Sequence, residues 1–433
     1  MKKLFLHFVF ALFISVSVSA QLSVIADSLA SPIGIKADQW GNVWVASVGT
    51  GNDDATICLI SRNGEKFTVI KDLPSKLNPL AGDVVGPWRA IPMTFGRMAV
   101  LIGGNPMLGP DFGKLLFFNL TNYKEGDPAK TIADTTHSFN VGAFGLATST
   151  NNDSDPFSAV QDEDGHWYIT DAGANSIIKV TRNGKEMSVF TTFDPIPNPT
   201  PVGPPVMDPV PTGIVALPKY GGFLVTTLTG FPFLDGKASV YKVDRNGNKS
   251  VYASGLTLLT DIDIDRNNNV YVNQFGTFSL ANGFNFGSGQ VIRMRKGQVI
   301  DTIVKGHGPG SGLSVFDGRK LYVTNLFTGS ALSGVVPSES VEARELVTPS
   351  FNISLAPNPA TDKVNIKWDN IHTGARIKIA ITDLSGKILY QKNNIDGIWP
   401  QHQINVSGFH AGTYVLSMNV NGQVVSKNIQ IIR

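Results

Sequence analysis

The sequence predicts an all-β protein, namely a six-bladed β-propeller followed by a small C-terminal β-sandwich. Three observations lead to this fold class. Short runs of β-forming residues alternate with Asn-Gly and other glycine turns over most of the 433 residues. Many of these runs belong to units of roughly 40–70 residues that recur along the chain, as propeller blades do. After residue 350 the repeat stops, and shorter alternating strands follow.

The first 20 residues have the features of a secretory signal peptide. Two lysines precede an apolar run over residues 4–18, and Val18 and Ala20 supply small residues before a cleavage site between Ala20 and Gln21. The run is too short for a comfortable membrane span. We therefore expect an exported mature chain that begins at Gln21 and has no transmembrane segment.

Charge and cysteine content exclude some functions. The formal net charge of +2 is too weak to favour binding to nucleic acid or to an anionic membrane. Cys58 is the only cysteine, so the chain forms no internal disulfide and its stability must come from the core. We expect Cys58 to be a buried, unreactive thiol in a strand.

The first repeated motif is a hairpin in which Arg-Asn-Gly, or Arg-Lys-Gly in the last copy, joins two β-rich runs. An Asn-Gly turn suits this role because both central residues of a type I′ turn need a positive φ. The gap between the first two copies is about twice the later gaps, so we expect a further unit around Gly126. The turn glycines of the four copies are Gly64, Gly184, Gly247 and Gly297.

The second motif is a turn followed by an aromatic or aliphatic run, and it occurs six times. Six copies predict six blades, which we place in residues 21–336. The sixth blade lacks an obvious last strand, so we expect residues 22–26 to complete it beside the strand that contains Tyr322, which leaves no open edge. The copies span residues 38–49, 93–104, 162–173, 218–230, 265–276 and 315–327.

Two insertions interrupt the repeat. Residues 193–213 contain eight prolines and should be extended, either at the rim of a binding mouth or as a surface loop. Residues 133–156 form a second, polar insertion. A Pro/Ser/Glu-containing stretch at residues 337–350 is interpreted as a linker, and residues 351–433 as the sandwich.

The sandwich resembles the type A sorting domain of the type IX secretion system of Bacteroidetes-type Gram-negative bacteria. The matching motifs include Pro357-Asn358-Pro359, "DLSGKILY" and the run "INVSGFHAGTYVLSM", which contains Gly412. The resemblance implies contact with the type IX secretion machinery and passage through the periplasm and the outer membrane. It also implies removal of the domain, and either release of the protein or attachment at the outer-membrane surface.

The propeller resembles the ScyD/ScyE family of exported propellers, which is related to NHL-repeat proteins. The matching pieces include "GNVWVASVGTG", "YITDAGANSIIKV" and "LTGFPFLDGKASVYKVD", and the resemblance covers residues 31–325. The sequence departs from the family pattern at Trp88-Arg89-Ala90 and at Ser158-Ala159-Val160. The resemblance indicates the fold more than the function, because the activity of the family is poorly defined.

Candidate site residues come from the ends of the inner strands. HExxH, G-x-S-x-G, Walker and EF-hand motifs are absent from the sequence. Polar residues that end inner strands can converge on a propeller channel, where Asp and Asn oxygens suit Ca²⁺. We interpret Ser47, Asn273 and Asn325 as equivalents of Asp171 in other blades. The ligand-binding candidates are Asp171, Asn175, Asn273 and Asn325, and the metal candidates are Asp171, Asp261 and Asn273.

Each of these candidates has a local explanation as well. Asp and Asn cap tight turns by accepting hydrogen bonds from nearby backbone amides. In the loop "LTGFPF", Phe231 and Phe233 could stack on a sugar or aromatic ligand, or pack between blades.

Three functions therefore stay open. The first is a secreted or cell-surface propeller that binds a ligand or partner, such as a cell-surface glycan, at one face. The second is a Ca²⁺-dependent hydrolase, lactonase or lyase that uses polar residues at the channel. The third is a structural surface protein with no small ligand.

Overall fold

A computed structural model of the protein describes residues 19–79, 82–217, 221–285, 287–337, 351–369, 376–383, 387–396, 401–420 and 423–433. The chain forms two compact units that divide between residues 338 and 339. Most of the predicted signal peptide, residues 1–18, and most of the predicted linker, residues 338–350, lie outside the described residues.

The first unit contains six four-stranded antiparallel sheets, which confirms the predicted six-bladed propeller. The strands of each blade are given from the innermost strand outwards. Blade 1 contains Pro32–Ala37, Val43–Ser47, Ala55–Ile60 and Lys66–Leu73, and blade 2 contains Pro87–Met93, Arg97–Ile102, Lys114–Asn119 and His137–Asn140. Blade 3 contains Pro156–Gln161, Trp167–Asp171, Ser176–Val180 and Met187–Thr192. Blade 4 contains Pro211–Ala216, Phe223–Thr227, Ala238–Val243 and Lys249–Leu256, blade 5 contains Leu259–Ile264, Val270–Gln274, Gly289–Arg295 and Gln298–His307, and blade 6 contains Leu313–Phe316, Lys320–Asn325, Ser330–Val335 and Ser23–Ala26.

The N-terminal strand closes the ring, as predicted. Ser23–Ala26 pairs antiparallel with Ser330–Val335 and supplies the fourth strand of blade 6. Ala26 is buried in a cluster that includes Tyr322 of blade 6 and Val45 of blade 1. Just before this strand, the backbone N–H of Ala20 donates a 2.7 Å hydrogen bond to the carbonyl oxygen of Ile303.

Local turn chemistry explains an aspartate that recurs between the first and second strands. Asp38 accepts hydrogen bonds from the backbone N–H groups of Trp40 and Asn42, at 2.9 and 3.0 Å. Asp265 accepts the same two bonds from the residues two and four positions later in its own turn. These carboxylates therefore hold the turn by satisfying backbone donors that no strand partner reaches.

The stretch at residues 133–156 is not a purely polar insertion. It contains His137–Asn140, the short fourth strand of blade 2, and the α-helix Val141–Thr148, which Asn140 caps by accepting from the N–H of Ala143. A four-residue strand that is mostly exposed carries too little apolar pattern to be predicted. The described part of the unit also contains three 3₁₀ turns, Thr94–Gly96, Pro106–Leu108 and Ile132–Asp134. Three small hairpins pair Lys76–Leu77 with Val84–Val85, Ile196–Pro197 with Val206–Met207, and Thr277–Ser279 with Gly283–Asn285.

The two faces of the propeller differ. Antiparallel order places the connections between second and third strands, and those between consecutive blades, on one face. We call it the loop-bearing face, because it carries the longest of them, residues 74–79 with 82–86, 103–113, 141–155, 193–210, 228–237 and 275–285. The opposite, turn-bearing face carries tight turns and, among the described residues, one longer loop at 120–136.

The second unit is a β-sandwich, which confirms the predicted second fold. One sheet contains Ile353–Ala356, Lys363–Trp368 and Gln401–Asn405, and the other contains Ile388–Asp396, Arg376–Thr382, Gly412–Val420 and Gln423–Ile431. The core consists of inward-facing apolar side chains of both sheets, including Ile366, Ile379 and Leu416, each fully buried.

Candidate functional site

The innermost strands surround a channel that two ion pairs cross. Arg89 of blade 2 reaches Asp261 of the opposite blade 5, with Nη2 3.3 Å from Oδ1, and both side chains are less than one-tenth exposed. Closer to the turn-bearing face, Nζ of Lys36 lies 3.0 Å from both carboxylate oxygens of Asp263. The channel is therefore bridged by side chains at two levels.

Asp261, a metal candidate, already has three partners. Besides Arg89, its oxygens accept hydrogen bonds from the backbone N–H groups of Ile262 and Leu313, at 3.0 and 2.8 Å. Burial raises the pKa of Asp261, while the charge of Arg89 and the two N–H donors oppose that rise. The positive charge of Arg89 at this carboxylate disfavours a metal ion there.

The two departures from the family pattern meet in this channel. Nε of Arg89 lies 3.4 Å from Oγ of Ser158, and the guanidinium also lies over the ring of Phe157 at 4.8 Å. The sequence analysis marked Arg89 and Ser158 as unusual but gave them no role. Their contact across blades is a tertiary feature that sequence spacing does not reveal.

A set of buried hydroxyl groups links neighbouring inner strands. Thr170 donates to the carbonyl oxygen of Thr212 at 2.5 Å, and Thr212 in turn donates to that of Leu259 at 2.8 Å. Thr260 and Thr324 continue the links towards blades 6 and 1. Each link satisfies a buried carbonyl and fixes one blade against the next.

Asn273 belongs to this set, which corrects its predicted equivalence to Asp171. Leu259 pairs with Gln274 where Pro156 pairs with Asp171, so Gln274 is the equivalent residue and Asn273 corresponds to Thr170. The Asn273 amide donates to Thr260 Oγ1 at 2.8 Å and to the carbonyl oxygen of Gly310. Our alignment was wrong by one residue, which moves a side chain to the other face of its strand.

Asp171 lies at the loop-bearing end of blade 3, where it orders the segment before the innermost strand. One oxygen accepts from the N–H groups of Asp155 and Ala174 at 2.7 and 2.9 Å, and the other from Ser154 Oγ at 2.6 Å. Burial raises the pKa of Asp171, and these three donors oppose it. Its hydrogen bonds position its neighbour Asp155.

Asp155 is the carboxyl group with the most unusual titration at the channel mouth. It is only partly exposed, and one oxygen accepts from Trp88 Nε1 at 2.9 Å and from the N–H of Gly104 at 2.6 Å. Burial raises its pKa to about 7, the two donors act against this, and the nearby carboxylates of Asp171 and Asp83 add to the rise. A group that titrates near neutrality can exchange protons with a bound molecule.

Asn175 and Asn325 lie at the same end of their blades and do not join Asp171. The amide of Asn175 donates to Asp208 Oδ1 at 2.9 Å, and its oxygen accepts from the N–H of Val210 at 3.0 Å. The oxygen of Asn325 accepts from two N–H groups of its own turn, those of Phe327 and Thr328. Both carboxamide oxygens are therefore bonded to backbone amides.

Phe231 and Phe233 belong to an aromatic cluster on the loop-bearing face. The two rings are 5.9 Å apart, and Phe233 also contacts Phe278 and Phe284 of the blade 5 hairpin, both at 5.2 Å. Phe233 therefore connects the loops of blades 4 and 5. Phe231 lies at the edge of this cluster and is 42% exposed.

Further apolar side chains are exposed on the loops of this face. Six loops each contribute one exposed apolar side chain, so that these side chains are distributed around the face. The loops are 74–79, 103–113, 193–210, 228–237, 275–285 and 326–329. On the turns of the opposite face, among the described residues, only Trp40 and Phe95 are comparable. The six side chains are Leu77, Met107, Val206, Phe231, Leu280 and Phe327.

The structure groups acidic side chains elsewhere, at the turn-bearing face. Asp162, Asp164 and His166 bring one ligand atom each within 4.8 Å of one another, the one such group among the described residues. Asp162 accepts from the N–H of His166 at 2.8 Å, as Asp38 and Asp265 do in their turns. The group therefore follows the repeated turn, in the copy of the second motif at residues 162–173.

In the second unit, the sorting motif forms the exposed turn between the first two strands. Asn358 joins this turn to the last strand, because its amide donates to the carbonyl oxygen of Asn428 at 2.9 Å and its oxygen accepts from the N–H of Gln430 at 2.8 Å. Pro357 and Pro359 flank it, and Gly412 begins the strand that pairs with Gln423–Ile431.

Comparison with known proteins identifies the second unit. Residues 354–432 match the family described as "Secretion system C-terminal sorting domain". The sorting domain implies secretion or a cell-surface location through the type IX system. None of the helices in the described part of the chain is long and apolar enough to cross a membrane. No curated protein matches the sequence.

Solved structures similar to the chain are distant. A gluconolactonase from Xanthomonas campestris is 11% identical, covers 73% of this chain and 89% of its own, and has a TM-score of 0.47. The calcium-binding protein regucalcin from Agrobacterium tumefaciens is 10% identical, covers 74% and 96%, and has a TM-score of 0.45. A protein of unknown function from Bacteroides thetaiotaomicron is 13% identical, covers 73% and 76%, and has a TM-score of 0.47. Similarities at these low identities and TM-scores do not assign an activity to this chain.

Proposed function

We propose that this protein is an exported β-propeller that binds a partner at its loop-bearing face. The observation that carries the proposal is the set of six exposed apolar side chains on that face, one from each of six loops. Loops on a rigid scaffold commonly carry interaction sites, and these six side chains all belong to loops of the same face. We also propose that the propeller belongs with the ScyD/ScyE-like exported proteins.

The chemistry of these side chains favours a protein partner over a glycan. Met107 and Phe231 are of types enriched in protein interfaces, and Leu77 and Leu280 add flexible apolar area. Sugar recognition needs aromatic faces with adjacent hydrogen-bonding groups, whereas most of these six side chains are aliphatic. A glycan remains the alternative outcome of the test.

The test compares two variants of the mature chain, residues 21–433. In the first, Met107, Phe231 and Phe327 are each replaced by serine on the loop-bearing face. In the matched control, Trp40→Ser and Val251→Ser remove side chains that are 54% and 58% exposed but lie outside that face. Binding is measured to isolated outer membranes, before and after protease treatment, and to an array of bacterial glycans.

We expect the wild type and the control to bind outer membranes equally, and the loop-face variant to bind at least tenfold more weakly. Protease treatment of the membranes should abolish binding. Binding that survives protease, appears on the glycan array and is weakened in the loop-face variant would move the partner class to glycans. Equal loss in both variants would contradict the proposed face.

A second candidate function, a hydrolase or lyase, is favoured by Asp155 alone. Its pKa of about 7 and its partial exposure at the channel mouth suit a general acid or base. Calcium dependence has less support, because Arg89 and backbone amides occupy the oxygens of Asp261, and Ser154 and two amides those of Asp171. Lactone and ester hydrolysis should be assayed with EDTA or Ca²⁺ and with Asp155→Asn. Activity lost in that variant but unaffected by EDTA would favour a metal-independent enzyme.

The sorting domain supports export, and its later fate is part of the proposal. We infer that the domain is removed at the cell surface and that the propeller is then released or held there. Deleting residues 351–433 in the native host should hold the propeller in the periplasm, whereas appearance of the truncated chain at the cell surface or in the medium would contradict this role.

A further inference from the structure

We propose that the cleft between blades 2 and 3 on the turn-bearing face binds an acidic saccharide, a sugar ring that carries a carboxylate. The cleft has a volume of about 700 Å³. This is within the range of small-molecule sites and is large enough for a short oligosaccharide. It lies on the opposite face from the proposed partner site and is independent of it.

The shape of blade 2 produces the cleft. Its fourth strand, His137–Asn140, pairs only with residues 114–117 of the third strand, so Phe118 and Asn119 pair with the second strand but have no strand on their outer side. The 120–136 loop then leaves the sheet instead of continuing a hairpin. The cleft between blades 6 and 1 on the same face is smaller, about 340 Å³.

The floor of the cleft is aromatic. The rings of Phe117 and His137 stack in parallel, 4.2 Å apart at 5°, and Trp167 and Phe139 contact Phe117 edge-on. His137 is exposed, so its ring presents a flat surface to the cleft. Sugar rings pack their C–H faces against such surfaces.

Phe95 adds a further aromatic ring at the edge of the cleft. It is 81% exposed and adopts φ 59° and ψ 39°, a left-handed conformation that a bulky residue rarely adopts. The ring contributes little to the core, because most of its surface is exposed. A strained, exposed aromatic at the edge of a cavity favours a role in binding.

The charges at the rim select the ligand class. Arg97 and Arg182 both line the cleft, are exposed, and form no ion pair with any carboxylate of the described residues. Two carboxylates also line the cleft, namely Asp162, which is bonded to its own turn and to His166, and the exposed Glu163. Nε of Arg97 donates to the carbonyl oxygen of Thr94 at 3.4 Å, but neither arginine is paired with a carboxylate. Two such guanidinium groups beside an aromatic floor match a ring that carries a carboxylate, which arginine binds in a forked geometry.

The experiment measures binding of digalacturonate and trigalacturonate to the mature chain by calorimetry. Two further ligands serve as controls. The neutral galactose disaccharide keeps the sugar rings without a carboxylate, and benzoate keeps a carboxylate without a sugar ring. Variants are Arg97→Ala with Arg182→Ala, and Phe95→Ala. The matched control is Arg245→Ala, because Arg245 occupies the equivalent Arg-Asn-Gly turn of blade 4, outside the cleft.

We expect galacturonates to bind the wild type and Arg245→Ala equally. The double arginine variant and Phe95→Ala should each bind at least roughly tenfold more weakly, with unchanged melting temperature since all three side chains are exposed. Equal binding of the neutral disaccharide, binding of benzoate alone, or no binding of any galacturonate would each overturn the proposal. So would full affinity in the double arginine variant.

Discussion

Replacing Asp155 by asparagine should make the folded protein more stable at alkaline pH. In the wild type this carboxyl ionises in a site where burial disfavours its charge, although Trp88 and Gly104 each donate a hydrogen bond to one of its oxygens. Asparagine keeps an oxygen for those two donors and carries no charge. The gain in stability therefore comes from removing the ionisation.

The size of the effect follows from the pKa. A rise from 3.8 to about 7 is about three units, or about 4 kcal/mol at about 1.4 kcal/mol per unit. Because the folded pKa is raised, the contribution of the protonated carboxyl to stability is complete below pH 3.8 and is lost as pH rises to about 7. The free-energy advantage of the variant should therefore grow between about pH 4 and 7 and then stay constant.

The assay is urea unfolding of both proteins from about pH 5 to 8.5, with Asp153→Asn as a control for removing a negative charge from the same exposed loop. We expect the advantage of Asp155→Asn to rise by roughly 2–3 kcal/mol over this range, and the control to show no such rise. A pH-independent difference, or a variant that becomes less stable as pH rises, would refute the burial argument for Asp155.

Three other perturbations test the remaining structure. Asp261→Asn leaves Arg89 buried without a counter-charge and should cost about 3–5 kcal/mol in thermal unfolding, whereas replacing both residues by leucine should restore most of the loss. Deleting residues 23–26 removes the closing strand, so limited proteolysis should cleave the chain within blades 6 and 1 first; unchanged resistance would argue against closure by this strand. Asn358→Ala removes two hydrogen bonds and should speed hydrogen exchange in residues 423–431 while leaving the propeller unaffected.

The sequence was sufficient for the blade count because the repeat is local. The turn before each second strand depends on backbone preferences within a few residues, as the hydrogen bonds of Asp38 and Asp265 show. The predicted type I′ geometry was wrong for the three Asn-Gly turns, because only their glycines, Gly64, Gly184 and Gly247, have a positive φ. The closing strand was also predictable, since an exposed edge in blade 6 demands a partner. The fourth strand of blade 2 was not, because its four residues carry no clear alternation.

The contacts in the channel could not be predicted from the sequence, for a different reason. The Arg89–Asp261 pair joins residues of opposite blades, and nothing in their spacing marks them as neighbours. Asp155 was missed because its pKa depends on Trp88 and Asp171, which the fold brings together from different blades and strands. The predicted residues Asp171, Asn175 and Asn325 lie at the loop-bearing face, but hydrogen bonds to nearby groups separate them into distinct sets. Their role in ligand binding stays a prediction.

Photo-crosslinking on exporting cells tests the proposed binding face most directly. A photoreactive phenylalanine analogue would replace Phe231 on the loop-bearing face in one strain and Trp40 on the turn-bearing face in another. We predict one dominant, protease-sensitive crosslinked species from position 231 and none from position 40. Crosslinking from position 40 alone, or no crosslink from position 231 despite normal export, would contradict a partner at the loop-bearing face.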